Sequence, residues 1–109
     1  MKRGDVVIVS LPGDYGKPRP AILVQVDYLT KFVESVIVAP LTTDLLPVSM
    51  YRPLVEPTSG NGLLQTSQVM ADKVHAVSKT RVSKTVGHAG PETMTRLDQS
   101  LAFVLGLAK

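Results

Sequence analysis

The chain alternates short aliphatic and β-branched runs with turn-forming clusters, and only its final fifth adopts a helical period. Residues 6–11, Val6-Val7-Ile8-Val9-Ser10-Leu11, are a β-branched run ending at Pro12-Gly13-Asp14, which predicts a strand and then a turn. Residues 20–26 predict a second strand. Within it Ala21-Ile22-Leu23-Val24 is apolar without alternation, as in a strand buried on both faces. Residues 27–31 form a connection and residues 34–41 a third strand. A fourth is predicted at 48–55, where Met50, Arg52 and Leu54 share one face and Pro53 marks an edge or a bulge. Pro57-Thr58-Ser59-Gly60-Asn61-Gly62 is a turn signal. A fifth strand follows at 63–69, with shorter extended pieces at 74–77 and 80–86.

After Gly90 the period changes. Pro91 suits the first helical position and Glu92 the positive end of the helix dipole. Met94, Leu97, Leu101, Val104, Leu105 and Ala108 then recur at three- and four-residue steps, which predicts one amphipathic helix packed on the sheet. The expected fold class is therefore mainly β with a C-terminal helix, built as a small, strongly bent sheet or barrel. The pattern leaves the strand order open.

With 109 residues, the length fits one domain spanning 1–109. The hydrophobic content of 44% supports one packed core. The absence of cysteine excludes a disulfide framework, a cysteine-based zinc site and a cysteine nucleophile. Nothing near Met1-Lys2-Arg3 resembles a signal peptide, and the apolar stretch at 101–108 is too short to cross a bilayer, so a cytoplasmic location without membrane attachment is expected. The net charge of +3 is compatible with an anionic partner. Its distribution is more telling: Lys2, Arg3, Lys17 and Arg19 crowd the first fifth, and Lys73, Lys79, Arg81 and Lys84 form a second basic stretch.

Arg19 lies between Pro18 and Pro20, which lock the neighbouring φ angles and push Arg19 toward extended geometry. A cation on so stiff a stem loses little entropy on meeting an anion, and guanidinium presents a donor fork matched to phosphate. Thr42 and Thr43 follow the third strand, where hydroxyls either cap the turn or donate to a ligand. Ser67 and Gln68 close the fifth strand. His75 reads as a satisfied structural side chain and His88 as a loop residue before the helix; no carboxylate cluster accompanies either, so no metal site is expected. Neither a Gly-Lys-Ser/Thr phosphate loop nor a nucleophile elbow is present.

Four segments, in order, resemble the MazF/PemK toxins of bacterial toxin–antitoxin pairs, over essentially the full chain. These are Arg3-Gly4-Asp5-Val6-Val7, Pro18-Arg19-Pro20-Ala21-Ile22-Leu23-Val24, Val38-Ala39-Pro40-Leu41-Thr42-Thr43, and Gln65-Thr66-Ser67-Gln68-Val69 with Asp72-Lys73. The resemblance implies a small SH3-like barrel of the CcdB/MazF type and a homodimer. It also implies sequence-specific, metal-independent cleavage of single-stranded RNA with no cofactor, restrained by an antitoxin that is expected to be acidic. By position, Arg19 would stabilise phosphorane charge and Thr42 would hydrogen-bond the scissile phosphate. Tyr15, Lys17, Thr43, Ser67, Gln68 and Lys73 would contact RNA. Arginine is an awkward acid because its reference pKa is very high, so electrostatic stabilisation is its expected role.

The chain departs from the family pattern at two places. The loop before Arg19, Asp14-Tyr15-Gly16-Lys17-Pro18, lacks the Gly-x-Glu-Gln of many members, and Gln65 and Ser67 replace an Arg and an Asp found in some. Without tryptophan, base stacking must use Tyr15, Tyr28, Phe32 or Tyr51. The alternatives are a CcdB-like gyrase-binding toxin, against which the Leu107-Ala108-Lys109 ending without Trp-Gly-Ile argues, and a degenerate member that binds RNA or antitoxin without cutting.

Overall fold

The computed structural model describes residues 1–10, 17–47 and 50–107. The expected end of the first strand at Leu11, the turn at 12–14, Tyr15, Val48, Ser49 and Ala108 lie outside them. The elements are β1 (Asp5–Ser10), β2 (Pro18–Leu23), the single helical turn α1 (Asp27–Thr30), β3 (Ser35–Thr42), β4 (Leu54–Val55), β5 (Ser67–Val69), β6 (His75–Ser78), β7 (Val82–His88) and α2 (Pro91–Val104). Short 3-10 turns at Ala71–Lys73 and Lys79–Arg81 flank β6.

The strands form one curled antiparallel sheet in the order β4-β5-β3-β2-β1-β7, with β6 also on β3. The result is a half-barrel with one C-terminal helix. Both faces of its centre are buried, as the unbroken apolar run of β2 anticipates. Ala21 and Leu23 join Val7, Val9, Val36, Val38 and Val77 inside the curl. Ile22 points the other way, onto Val6, Ala39, Val69 and Leu97 beneath α2. Adjacent residues thus enter opposite clusters, the consequence of a period of two on a sheet covered on both sides. No helix among the described residues is long and apolar enough to cross a membrane.

Several predicted boundaries need correction. The connection at 27–31 contains a helical turn. Among the described residues, the fourth predicted strand is confined to Leu54–Val55 and the fifth shrinks from 63–69 to Ser67–Val69. The cause lies in polar side chains that divert the intervening backbone. Buried Asn61 accepts the N–H groups of Thr58 and Leu63 and donates to the Glu56 carbonyl, so residues 56–63 follow a side-chain-organised loop. Helix α2 ends at Val104, where Gly106 takes a positive φ of 74° and the Leu107 N–H returns to the Ala102 carbonyl.

His88, read as a loop residue, instead ends β7 opposite Asp5. Its Nδ1 lies 3.0 Å from the Asp5 carboxylate, which also accepts the Lys2 N–H at 2.8 Å. Partial burial works against ionisation of Asp5, but the hydrogen bonds and the imidazole beside it outweigh burial and lower its pKa.

The loop at 56–63 rests directly on β7. Gly62 has φ of 70°, and a Cβ there would lie 2.3 Å from the Val86 carbonyl oxygen; at Gly60 the nearest atom to an added Cβ is 3.8 Å away. Gly62→Ala is therefore expected to destabilise the fold by about 2 kcal/mol or more. Gly60→Ala should stay within about 0.5 kcal/mol of the parent. Denaturant titration of both variants checks the contrast, and equal stabilities would refute the close packing of this loop.

Candidate active site

The candidate site arises where the sheet stops being a sheet. β2 and β3 pair as Leu23↔Val38, Ile22↔Ala39 and Ala21↔Pro40, and there the ladder ends. Pro20 has no N–H to offer the next rung, where it would face Leu41. β3 then continues with β5 alone, as Leu41↔Val69 and Thr42↔Gln68. Continuing the β2–β3 register would set Arg19 opposite Thr42. These two residues instead flank an opening of about 420 Å3, lined also by Pro20, Pro40, Leu41, Thr43, Asp44, Leu46, Arg52, Ser67, Met70 and Lys73.

Arg19 is exposed and its backbone pairs with Val9 of β1, so the stem is held from one edge while the side chain faces the opening. Thr42 is half-buried. Its hydroxyl oxygen accepts the Asp44 N–H at 3.0 Å, so it caps the turn as a threonine after a strand often does. Accepting that bond leaves the hydroxyl proton available, so capping and donation to a ligand are compatible. Thr43 is exposed at the rim. Ser67 reaches the pocket wall, although it is almost fully buried and its hydroxyl donates to the Gln65 carbonyl. Lys73 lines the far side.

Two expected contacts, Gln68 and Lys17, do not line the opening. Gln68 is only 2% exposed and does not line the opening. Its amide pairs with Leu46 in both directions, accepting the N–H at 2.7 Å and donating to the carbonyl at 3.0 Å. It therefore anchors the loop after Thr43 from beneath. Lys17 is exposed outside the opening, and Tyr15 falls beyond the described residues.

The sequence reading also missed Arg52. It had been assigned only to a strand face, but it forms a pocket wall and a two-pronged ion pair with Asp72, both contacts at 3.0 Å. The Arg52 side chain is 12% exposed. The guanidinium of Arg52 holds the Asp72 carboxyl below the usual value, and the carboxylate in turn raises Arg52. Twenty residues separate the partners, and nothing local marks them as a pair. Among the described residues, no group of three or more His, Asp or Glu is placed to hold a metal ion. Neither histidine lines the opening.

The chain is thus a small β protein, a curled half-barrel with a C-terminal helix, in which Arg19, Thr42 and Thr43 line an opening beyond the last β2–β3 rung. A family profile described as PemK-like, MazF-like toxin of type II toxin–antitoxin system matches residues 2–105. The chain is 37% identical over 109 residues to a probable endoribonuclease MazF of Mycolicibacterium smegmatis, covering 99% of each. The chain belongs to the PemK-like, MazF-like toxin family. The fold also matches a mycobacterial endoribonuclease solved with its cognate antitoxin (TM-score 0.84, 23% identity, 100% of this chain and 98% of the other). It matches the Mycobacterium tuberculosis toxin MazF-mt6 as well (TM-score 0.82, 21% identity, 96% and 99%).

The Arg52–Asp72 pair makes a pH prediction. A carboxylate whose folded pKa is lowered contributes stability above its ordinary value near 3.8 and loses it as pH falls through the lower folded value. The difference in melting temperature between the parent and Asp72→Asn should be largest near neutrality and vanish at strongly acidic pH. A difference that grew on acidification would contradict the ion pair.

Proposed function

We propose that this chain is a sequence-specific endoribonuclease that cuts single-stranded RNA without a metal ion. It would act as the toxin of a toxin–antitoxin pair in the cytoplasm. The observation that carries the reading is the placement of Arg19 and Thr42 on the two lips of the interrupted β2–β3 ladder. Family membership and the endoribonuclease relative supply the reaction class.

The ribose 2′-OH attacks the adjacent phosphorus, forming a P–O2′ bond as the P–O5′ bond breaks. The 2′-OH proton leaves to solvent and the departing 5′ oxygen gains one. The products are a 2′,3′-cyclic phosphate and a 5′-hydroxyl. Because the nucleophile belongs to the substrate, the protein need only hold the in-line geometry and offset charge on the phosphorane oxygens. Arg19 supplies that charge and Thr42 a hydrogen bond to a non-bridging oxygen. Lys73 extends the positive rim for flanking phosphates. A neighbouring apolar depression of about 340 Å3 includes Leu63, Leu64 and Val86 and shares Pro20, Thr43 and Ser67 with the pocket. It suits a base beside the scissile phosphate.

The same rim fits an acidic antitoxin segment laid over Arg19. Homodimer formation is supported by exposed Met50, Leu54 and Phe103 around one depression, with exposed Leu105 and Leu107 nearby. Sedimentation of Phe103→Asp should shift toward a monomer if this face pairs, whereas an unchanged dimer would place the interface elsewhere.

The decisive assay incubates the purified chain with long single-stranded RNA in EDTA and maps the new 5′ ends. Discrete cuts are expected, with rates falling by roughly 100-fold or more in Arg19→Ala while circular dichroism stays unchanged. Cleavage by Arg19→Ala at the parental rate would refute the mechanism. Intact RNA from the folded parent would refute the activity.

A further inference from the structure

Two of the chain's five aromatic residues stand at the end of β2 away from Arg19, on the turn that leads into β3. Tyr28 is 73% exposed and Phe32 70%, and their rings lie 5.2 Å apart at 54°. The ground beneath them is firm. Buried Thr30 accepts a hydrogen bond from the Gln25 amide at 3.1 Å and donates to the Val26 carbonyl at 3.2 Å. The rings thus project from a pinned turn. Along its flank runs a depression of about 440 Å3, lined by Lys2, Lys31 and Lys79 with Asp27 and Thr30. The Lys79 ammonium donates to the Thr30 carbonyl, which fixes that cation beside the ledge. Of the nearby acids, Asp27 already accepts the Arg3 N–H at 2.6 Å, and Glu34 is exposed.

We infer that this ledge is a second docking site for single-stranded RNA, in which bases stack on Tyr28 and Phe32 while phosphates reach Lys2, Lys31 and Lys79. Aromatic faces interleaved with cations bind single strands because every base has a π-face and every linkage a charge. A peptide partner fits less well, since a docked helix needs a groove and an added strand needs a free sheet edge, whereas these rings stand on a protruding turn. The ledge and Arg19 are separated by about the length of β2, on the order of 15–20 Å. It would therefore hold RNA flanking the cut and not the scissile phosphate. This rests on the reading of RNA as substrate.

The absence of tryptophan supplies a site-specific probe, because Phe32→Trp introduces the only indole in the chain. The ligand is a single strand of about 20 nucleotides with 2′-O-methyl sugars, which cannot undergo internal attack. Indole emission is expected to fall saturably, with affinity weakening as salt rises and dropping on the order of fivefold when Lys31→Ala is added. Absence of quenching while the parent chain still cuts RNA would overturn the ledge and leave the ribonuclease reading standing. Quenching in Phe32→Trp while the parent chain cuts no RNA would uphold RNA docking and overturn the catalytic reading alone. A change with protein concentration alone, or with an acidic peptide but not the oligonucleotide, would overturn the inference in favour of self-association or a peptide partner. As a second readout, Tyr28→Ala with Phe32→Ala should raise KM for long RNA on the order of fivefold and leave kcat unchanged. A substrate of only a few nucleotides should be unaffected, and an equal loss on both substrates would also overturn it.

Discussion

The backbone N–H group that Pro20 lacks is the constraint on which the site depends. A central sheet normally satisfies every rung, and a proline inside it is tolerated only where a rung can be surrendered. Here Pro20 surrenders the rung that would face Leu41, and β3 exchanges β2 for β5 as its partner. The Pro40 carbonyl is not left idle, because the Met70 N–H donates to it at 2.8 Å. That bond seats the chain immediately before the 3-10 turn Ala71–Lys73. The turn carries Asp72, which holds Arg52, and Lys73, which lines the opening. One missing rung therefore determines the gap and the position of two of its walls.

The charges around that gap include a two-pronged ion pair. Arg52 spends its donor fork on Asp72, and the low pKa of Asp72 keeps that pair ionised through neutral pH. Its contribution is geometric, since it ties the segment before β4 to the turn after β5. Arg19 and Lys73 are the other cations of the lining, with Asp44 opposing them at the rim. With both histidines outside the lining, the charge of the wall does not hinge on imidazole titration. Such a site suits a reaction whose nucleophile is carried by the substrate.

What could be read from the sequence follows from how local each determinant is. Helix α2 was legible because Met94, Leu97, Leu101 and Val104 repeat at its own period and Pro91 marks its start. β2 was legible as doubly buried because neighbouring Ala21 and Ile22 serve different clusters. Arg19 and Thr42 stood out because prolines and a strand end bracket them. The misjudged positions depend on partners far along the chain. Gln68 resembled a polar strand-end contact, but its partner is Leu46; Arg52 gave no local sign of Asp72; His88 became a strand residue through Asp5. The extended signal at the start of 63–69 was overruled by Asn61, whose side chain organises the loop at 56–63 with hydrogen bonds to Glu56, Thr58 and Leu63.

On the proposed reading, the two ends of β2 would solve different recognition problems with the same scaffold. At its start, Arg19 is locked by flanking prolines and by pairing with Val9, while the β3 side of its backbone lies beyond the last rung. In the proposed mechanism, a group that offsets charge on a transient phosphorane would gain from this stiffness, because little reorganisation is left to accompany the reaction. At its other end the ladder is intact and the chain leaves through a pinned turn, so the sheet offers no gap. What projects there is flat, apolar surface beside lysines, suited to grip a flexible strand without regard to register. Setting the proposed positioning and gripping elements at the two ends of one short strand would fix the distance between them. Flanking RNA held at the ledge would then reach the interrupted ladder along a path set by the protein.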